Sequence, residues 1–249
     1  MQVIYSLWLR HLKHFWRSKS RVIAALLQPL LFLSALGFGL TPVFQRAGHG
    51  SYFQFIAPGI VGMSILFSAV ATGGELIGDR QLGFLKVTLV APVSRTELMI
   101  GRTLGGATIA CAQGVIVILL CFLMGYRSAS FSVLPKAFLY MILSSLLFTA
   151  LGIAVACLVS DFQGFHVVTN FLLQPMFLLS GALYPLGNIS KFLLWAAKLD
   201  PFAYGVDGLR GTLAGNSAYF GLYTDALFLG TASLATLGIG VYLFSRLRS

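Results

Sequence analysis

Six long apolar runs constrain this chain more than any other feature. They cover roughly residues 22–44, 52–74, 103–124, 137–159, 166–187 and 224–245. A helix crossing about 30 Å of hydrocarbon needs roughly 20 mainly apolar residues, rising 1.5 Å each. Each run is long enough. The composition agrees: 57% of the 249 residues are hydrophobic and 10% are charged, against about 45–50% and 25% in soluble domains. The expected fold class is an all-α integral membrane protein with six transmembrane helices, in one domain spanning 1–249. No internal repeat or long Gly/Ser linker divides it.

Residues 2–21, QVIYSLWLRHLKHFWRSKSR, precede the first run. At 100° per residue, Ile4, Tyr5, Trp8, Leu9, Leu12, Phe15 and Trp16 fall on one side. Gln2, Ser6, Arg10, Lys13, His14 and Arg17 fall on the other. Aromatics opposite bases describe an N-terminal amphipathic helix lying in the membrane interface. The apolar run behind it is too long for a signal-peptide core, so it is expected to stay as a span.

Six spans place both termini on one side, and the basic residues say which. With the N-terminus inside, eleven of the 17 Lys and Arg residues lie in inner segments. That excess points to cytoplasmic termini. It also accounts for most of the +10 net charge, so no nucleic-acid partner is expected. Cys111, Cys121 and Cys157 all sit in apolar runs without metal spacing and read as small hydrophobes.

Between the second and third runs, residues 75–102 hold seven charges. Ser94-Arg95-Thr96-Glu97 fits a capping box, and Pro92 stops whatever helix precedes it. Leu82, Leu85 and Leu89 recur at helical spacing. The segment reads as a stiff hairpin: a turn at Gly78-Asp79, a short helix, a stop and a capped restart. Residues 188–223 hold two apolar stretches, Lys191 to Leu199 and Phe202 to Leu213, divided by Asp200-Pro201. Both are too short to span, so interfacial or re-entrant helices are expected before span 6. Gly101-xxx-Gly105 and Gly211-xxx-Gly215 carry the spacing of close helix contacts. Pro29 and Pro175 lie mid-span and are expected to bend their helices.

Two segments carry a family resemblance. DRQLGFLKVTLVAPVSRTELMIGR resembles the segment after the second span in permease subunits of ABC-2 type exporters. LLSGALYPLGNISKFLLWAAKLDPFAYGVDGLRG, residues 178–211, resembles that family's Ser-Gly, Pro, Pro, Tyr and Arg pattern between its last two spans. The likeness covers nearly the whole chain in order. It implies a transport subunit that is not itself an enzyme, paired as a homodimer in a bacterial inner (plasma) membrane. It also implies two copies of a separate ABC ATPase, with ATP and Mg held by that partner and no cofactor or metal here. The first loop would be the cytoplasmic coupling helix docking on the ATPase, with contacts drawn from Glu75, Asp79, Arg80, Gly83, Phe84, Lys86 and Arg95. The external helices would close the exit, with Tyr184, Pro185, Pro201, Tyr204 and Arg210 as gate residues. The expected cargo is amphipathic: a drug, a lipid or a lipid-linked saccharide.

The absence of a G-x-x-x-x-G-K-[ST] stretch fits a motor on another chain. No charged residue falls deep in a run, which disfavours an ion-coupled carrier. The amides Gln28, Gln113, Asn170 and Gln174 either line a path or hydrogen-bond neighbouring helices. A membrane scaffold that recruits a cytosolic partner without transport is the alternative function.

Overall fold

In a computed structural model, the described residues are 2–17, 19–46, 50–83, 94–128, 130–215 and 218–246. They form helices α1 (Gln2–Arg17), α2 (Lys19–Phe32), α3 (Thr41–Arg46), α4 (Tyr52–Gln81), α5 (Arg95–Leu123), α6 (Leu134–Leu158), α7 (Phe162–Leu179), α8 (Lys191–Leu199), α9 (Pro201–Leu213) and α10 (Leu222–Ser245). No strand occurs among them. Among the described residues, five segments are long and apolar enough to cross a membrane: Ala25–Arg46, Tyr52–Gln81, Arg95–Leu123, Leu134–Leu158 and Leu222–Ser245.

The expected fifth span, 166–187, appears as α7, whose 18 residues reach about 27 Å. It carries Gln163, His166, Asn170 and Gln174, which lower its hydropathy, and it falls outside that set of five. The helix ends before the expected boundary because Gly181 turns the chain at φ 76°, a left-handed backbone that glycine adopts without a Cβ clash.

Helix α4 forms the centre. Its Tyr52–Gln81 stretch buries residues on every side, as a helix must when α2, α5, α6, α7 and α9 all pack on it. Its tightest crossing is with α6. A Cβ on Gly73 would fall onto the backbone carbonyl of Gly152, and one on Gly152 would lie 2.7 Å from Val70 backbone atoms. Close approach of this kind is how spans associate where lipid removes the hydrophobic driving force. The 30 residues of α4 reach about 45 Å, longer than the roughly 30 Å of a hydrocarbon core.

The expected turn at Gly78-Asp79 is absent: α4 continues to Gln81 and the chain turns at Gly83, φ 73°. The stop moved because Asp79 is tied to neighbouring helices and Gly78 packs beside Phe162, which holds the extra turn helical. The expected short helix from Leu82 to Val90 and the stop at Pro92 fall mostly on residues 84–93, outside the described residues. The restart is present: the Ser94 side chain accepts from the Glu97 N–H, Glu97 reaches back to Ser94, and α5 runs from there into the third span.

The N-terminal helix is docked as well as amphipathic. Leu7 and His11 are buried against Gly101 and Gly105 of α5, where added Cβ atoms would lie 3.2 Å from Leu7 and 2.9 Å from His11. The Gly101-xxx-Gly105 spacing therefore seats α1. The second pair is split: Gly211 faces Ala218 and Leu222, the first residue of α10, whereas Gly215 lies beyond α9 in a turn with φ 67°. Pro29 lies inside α2 and Pro175 inside α7. Just beyond Pro29 the first span passes through a π-helical turn, Leu33–Phe38, a rare form and a recognised cause of helix bends.

Both expected short helices before the last span are present as α8 and α9. Their surroundings differ. Helix α8 exposes Phe192, Trp195 and Leu199, whereas α9 buries Phe202, Val206, Leu209 and Leu213 against α4, α6 and α10. The second is re-entrant into the protein rather than resting on its surface.

Candidate coupling and gating sites

At one end of the bundle three helices meet in a charged cluster. Helix α4 presents Glu75 and Asp79 one turn apart, and α1 presents Arg10, His11 and His14 at matching spacing. Asp79 Oδ1 accepts from Arg10 Nη2 at 2.7 Å, and its Oδ2 accepts from Arg102 Nη2 at 2.6 Å. His11 Nδ1 is 2.9 Å from Glu75 Oε2, and His14 Nδ1 lies 3.9 Å from Oε1. The Arg102 side chain is 1% exposed, that of Asp79 12% and that of Arg10 40%. Asp79 thus holds a buried cation from α5 and a half-exposed one from α1. An unpaired ion at such depth would cost several kcal/mol, so the three helices are fixed to one another here.

Two further arginines cap helix ends nearby. Arg80 Nη1 donates to the carbonyls of Ala156 at 3.1 Å and Val159 at 2.8 Å, at the C-terminus of α6. Arg95 Nη1 donates to the Phe244 carbonyl at 3.3 Å, at the C-terminus of α10. A cation there satisfies orphan carbonyls and meets the negative end of the helix dipole. Of the expected coupling residues, then, Glu75, Asp79, Arg80 and Arg95 gather at one end and make these intramolecular contacts. Gly83 is the left-handed turn after α4, and Phe84 and Lys86 lie outside the described residues.

The opposite end is organised around Arg210 of α9. Its Nη2 donates to the carbonyls of Gly181 at 3.0 Å and Ala182 at 3.3 Å, and its guanidinium lies 4.2 Å from the centre of the Phe55 ring. Burial pushes this group down to about 10, with Asp207 acting in the other direction; it stays charged at neutral pH. Tyr52 Oη donates to the Leu183 carbonyl at 2.7 Å, so α4 and α9 together grip the turn that follows α7. A Cβ on Gly59 would lie 2.7 Å from the Ala182 carbonyl, which keeps that turn close.

The other expected gate residues surround this grip. Pro201 starts α9 behind Asp200, whose Oδ1 accepts from the Phe202 N–H at 2.9 Å. Burial raises the Asp200 carboxyl to about 7. Tyr204 stacks on Phe220 and Phe228 and donates to the Lys198 carbonyl at 2.9 Å. Tyr184 is half-buried with its hydroxyl unpartnered among the described residues, and Pro185 is exposed.

The expected path residues sit on exposed faces. Gln28 lines a cavity of about 150 Å³ with Ser64, Ser68, Thr72 and Glu75 of α4 and Gln113 of α5. Gln113 Nε2 donates to the Ala25 carbonyl at 2.6 Å, so this amide packs one helix against another. Asn170 and Gln174 form one stripe with His166 along α7. Phe177, on the flank of α7 beside that stripe, meets Phe32 of the first span edge-on at 6.1 Å. That contact sets the C-terminal end of α7 against the first span.

Sequence reasoning missed Arg102 as a partner of Asp79. The i, i+4 spacing of Glu75 and Asp79, like that of Arg10 and His14, marks a charged face on each helix but does not name the partner on α5. Sequence reasoning also missed the acids of the last two helices. Asp207 accepts from the N–H groups of Tyr219 at 2.9 Å and Phe220 at 2.8 Å, fixing the entry into α10. Asp225, in the first turn of α10, is fully buried with neither carboxylate oxygen bonded among the described residues. No group of three or more His, Cys, Asp or Glu suited to a metal occurs among the described residues.

Comparison with known proteins agrees with this architecture. Residues 2–214 match the family model described as ABC-2 type transporter. The chain is 28% identical over 216 residues to the inner membrane transport permease YadH of Escherichia coli K12, covering 82% of this chain and 80% of that one. It is 27% identical over 213 residues to the putative transport permease ycf38 of Porphyra purpurea, covering 84% and 73%. Nodulation protein J of Rhizobium leguminosarum bv. trifolii is 27% identical over 207 residues, covering 80% and 77%. A match over most of the chain, together with an all-helical membrane architecture and both quoted motifs, shows that this protein belongs to the ABC-2 type transporter family.

Proposed function

We propose that this chain is the membrane-spanning permease of an ATP-driven exporter. It works as a homodimer in a bacterial inner membrane, with both termini in the cytoplasm and six spans per copy, α7 being the fifth. The motor is a separate ATPase in two copies, which binds the ATP and Mg. The names of YadH and ycf38 as transport permeases support the transport reading.

The charged cluster is the observation that carries the proposal. A segment that receives a push from a soluble partner must be tied to the elements it moves. Helix α4 ends at Gln81, two residues after Asp79, and Asp79 binds both α1 and Arg102 of α5. Arg80 and Arg95 join the same region to the ends of α6 and α10. Closure of the ATPases onto Phe84, Lys86 and their neighbours would move these helices together rather than bend one loop.

The cargo is amphipathic and passes between the two copies along the exposed faces that carry Gln28, Asn170 and Gln174. Those amides are too costly to leave in bare hydrocarbon, so a partner copy or a wet path must face them. At the far end, Arg210 and Tyr52 hold the turn at Gly181–Leu183 closed, and release of that grip would open the exit.

The test is reconstitution with the ATPase in lipid vesicles. Cargo should stimulate hydrolysis, and Lys86→Glu should uncouple the two while leaving the permease folded. Binding of the ATPase with no cargo-dependent turnover would instead identify a membrane scaffold.

A further inference from the structure

A groove on one side of the bundle is unlike the cavity beside Gln28 in chemistry and place. It runs between α5 and α6, encloses about 690 Å³, and is walled by Leu104, Cys111, Ala112, Ile116, Phe138 and Leu146. From Leu104 to Ile116 it follows twelve residues of α5, or about 18 Å, close to the reach of one acyl chain. Small side chains at Ala107, Cys111 and Ala112 make it concave.

Helix α1 closes one end of the groove. Trp16 forms part of the wall while remaining 74% exposed. Trp8 anchors the helix by donating its indole N–H to Thr108 Oγ1 at 3.0 Å. Lys13 lies one turn before Trp16 and Arg17 follows it. With Arg10 and His14 they line the basic surface of α1. Arg10 is engaged with Asp79, whereas Lys13 and Arg17 form no ion pair among the described residues.

We infer that this groove is a binding site for one anionic phospholipid, its acyl chain between α5 and α6 and its headgroup on Lys13 and Arg17. The apolar wall alone would accept any lipid. The two cations that flank Trp16 on α1, exposed and without an ion pair among the described residues, supply the selectivity, because a zwitterionic headgroup brings its own cation against them while an anionic one does not. Each basic residue near a bilayer surface contributes roughly a fivefold preference for anionic lipid. The site also gives α1 a lipid contact beside its seat on Gly101 and Gly105.

The chain contains only three tryptophans, Trp8, Trp16 and Trp195, which makes the site readable. The purified protein is placed in bilayers doped with chain-brominated phosphatidylglycerol or phosphatidylcholine. Quenching at Trp16 is the difference between the native chain and Trp16→Phe. The site predicts half-quenching by the anionic lipid at a mole fraction at least about fivefold lower. In Lys13→Gln/Arg17→Gln the two lipids should become equal. Ala112→Phe, which fills the groove from an exposed position, should remove quenching at Trp16 by both lipids. Equal quenching by the two lipids in the native chain would overturn the inference. So would no quenching by either, which would mean that protein, such as a second copy of this chain, covers the groove.

Discussion

Replacing Asp79 by Asn tests the charged cluster most sharply, because its two partners differ so much in burial. Arg102 is almost fully buried and Arg10 is 40% exposed. The amide would leave the Arg102 guanidinium in a dry site without its counter-charge. Breaking a buried pair in this way costs about 3–5 kcal/mol. For a chain of this length each kcal/mol moves the midpoint by about 2–4 °C, so a drop of roughly 6–20 °C is expected. Arg10→Gln removes only a solvent-screened partner and should cost no more than about 1 kcal/mol. The double variant Asp79→Asn/Arg102→Met removes the stranded charge and replaces it with an apolar side chain, so it should recover most of the loss. Thermal unfolding of the detergent-purified protein, followed by helical circular dichroism, ranks the three. If Asp79→Asn and Arg10→Gln cost the same, or if the double variant is no better than Asp79→Asn alone, Asp79 is not the tie between α1, α4 and α5 described above.

Three further outcomes follow from individual contacts. Gly73→Ala would drive a methyl into the Gly152 carbonyl and should destabilise by about 3 kcal/mol or more, while Gly238→Ala in α10, with open space around it, should be neutral or gain up to about 1 kcal/mol; thermal melts of the pair give the comparison. Asp200 takes up a proton on folding because burial raises it to about 7 from 3.8. Its contribution to stability is therefore full below about pH 4 and is lost as pH rises towards 7. Asp200→Asn keeps a helix cap and should flatten that slope and raise stability at pH 8; an unchanged slope would contradict the burial argument. Ser94→Ala removes the capping box of α5 and should cost about 1 kcal/mol, read as faster hydrogen exchange at the Thr96 to Leu98 amides with deeper amides unchanged.

How much of this was legible in the sequence depended on the range of the interaction. The capping box at Ser94 needs only four neighbouring residues, and it appeared where Ser-x-x-Glu placed it. The paired short helices before the last span were legible for the same reason: Asp200-Pro201 is a local stop and start. Turn positions were harder. Gly78-Asp79 has turn composition, yet the helix runs through it because Asp79 is claimed by Arg10 and Arg102 from outside its own helix. A tertiary tie of that kind has no local signature. The end of α7 at Gly181 had a glycine to mark it but no way to tell it from the other 26 glycines of the chain. The Gly101-xxx-Gly105 spacing was visible, but its partner was not, since nothing local says that α1 folds back onto it. Asp225 escaped notice because it sits at the edge of an apolar run, where an acid normally reaches water.

The central claim is that residues between α4 and α5 face the cytoplasm, where a soluble motor can reach them, while the turn held by Arg210 faces outward. Single-cysteine chains carrying Gly83→Cys or Gly187→Cys, with Cys111, Cys121 and Cys157 replaced by Ala, test it with a membrane-impermeant maleimide. The account predicts that Gly83→Cys labels only in inverted vesicles and Gly187→Cys only in intact cells. Labelling of Gly83→Cys from outside intact cells would contradict it.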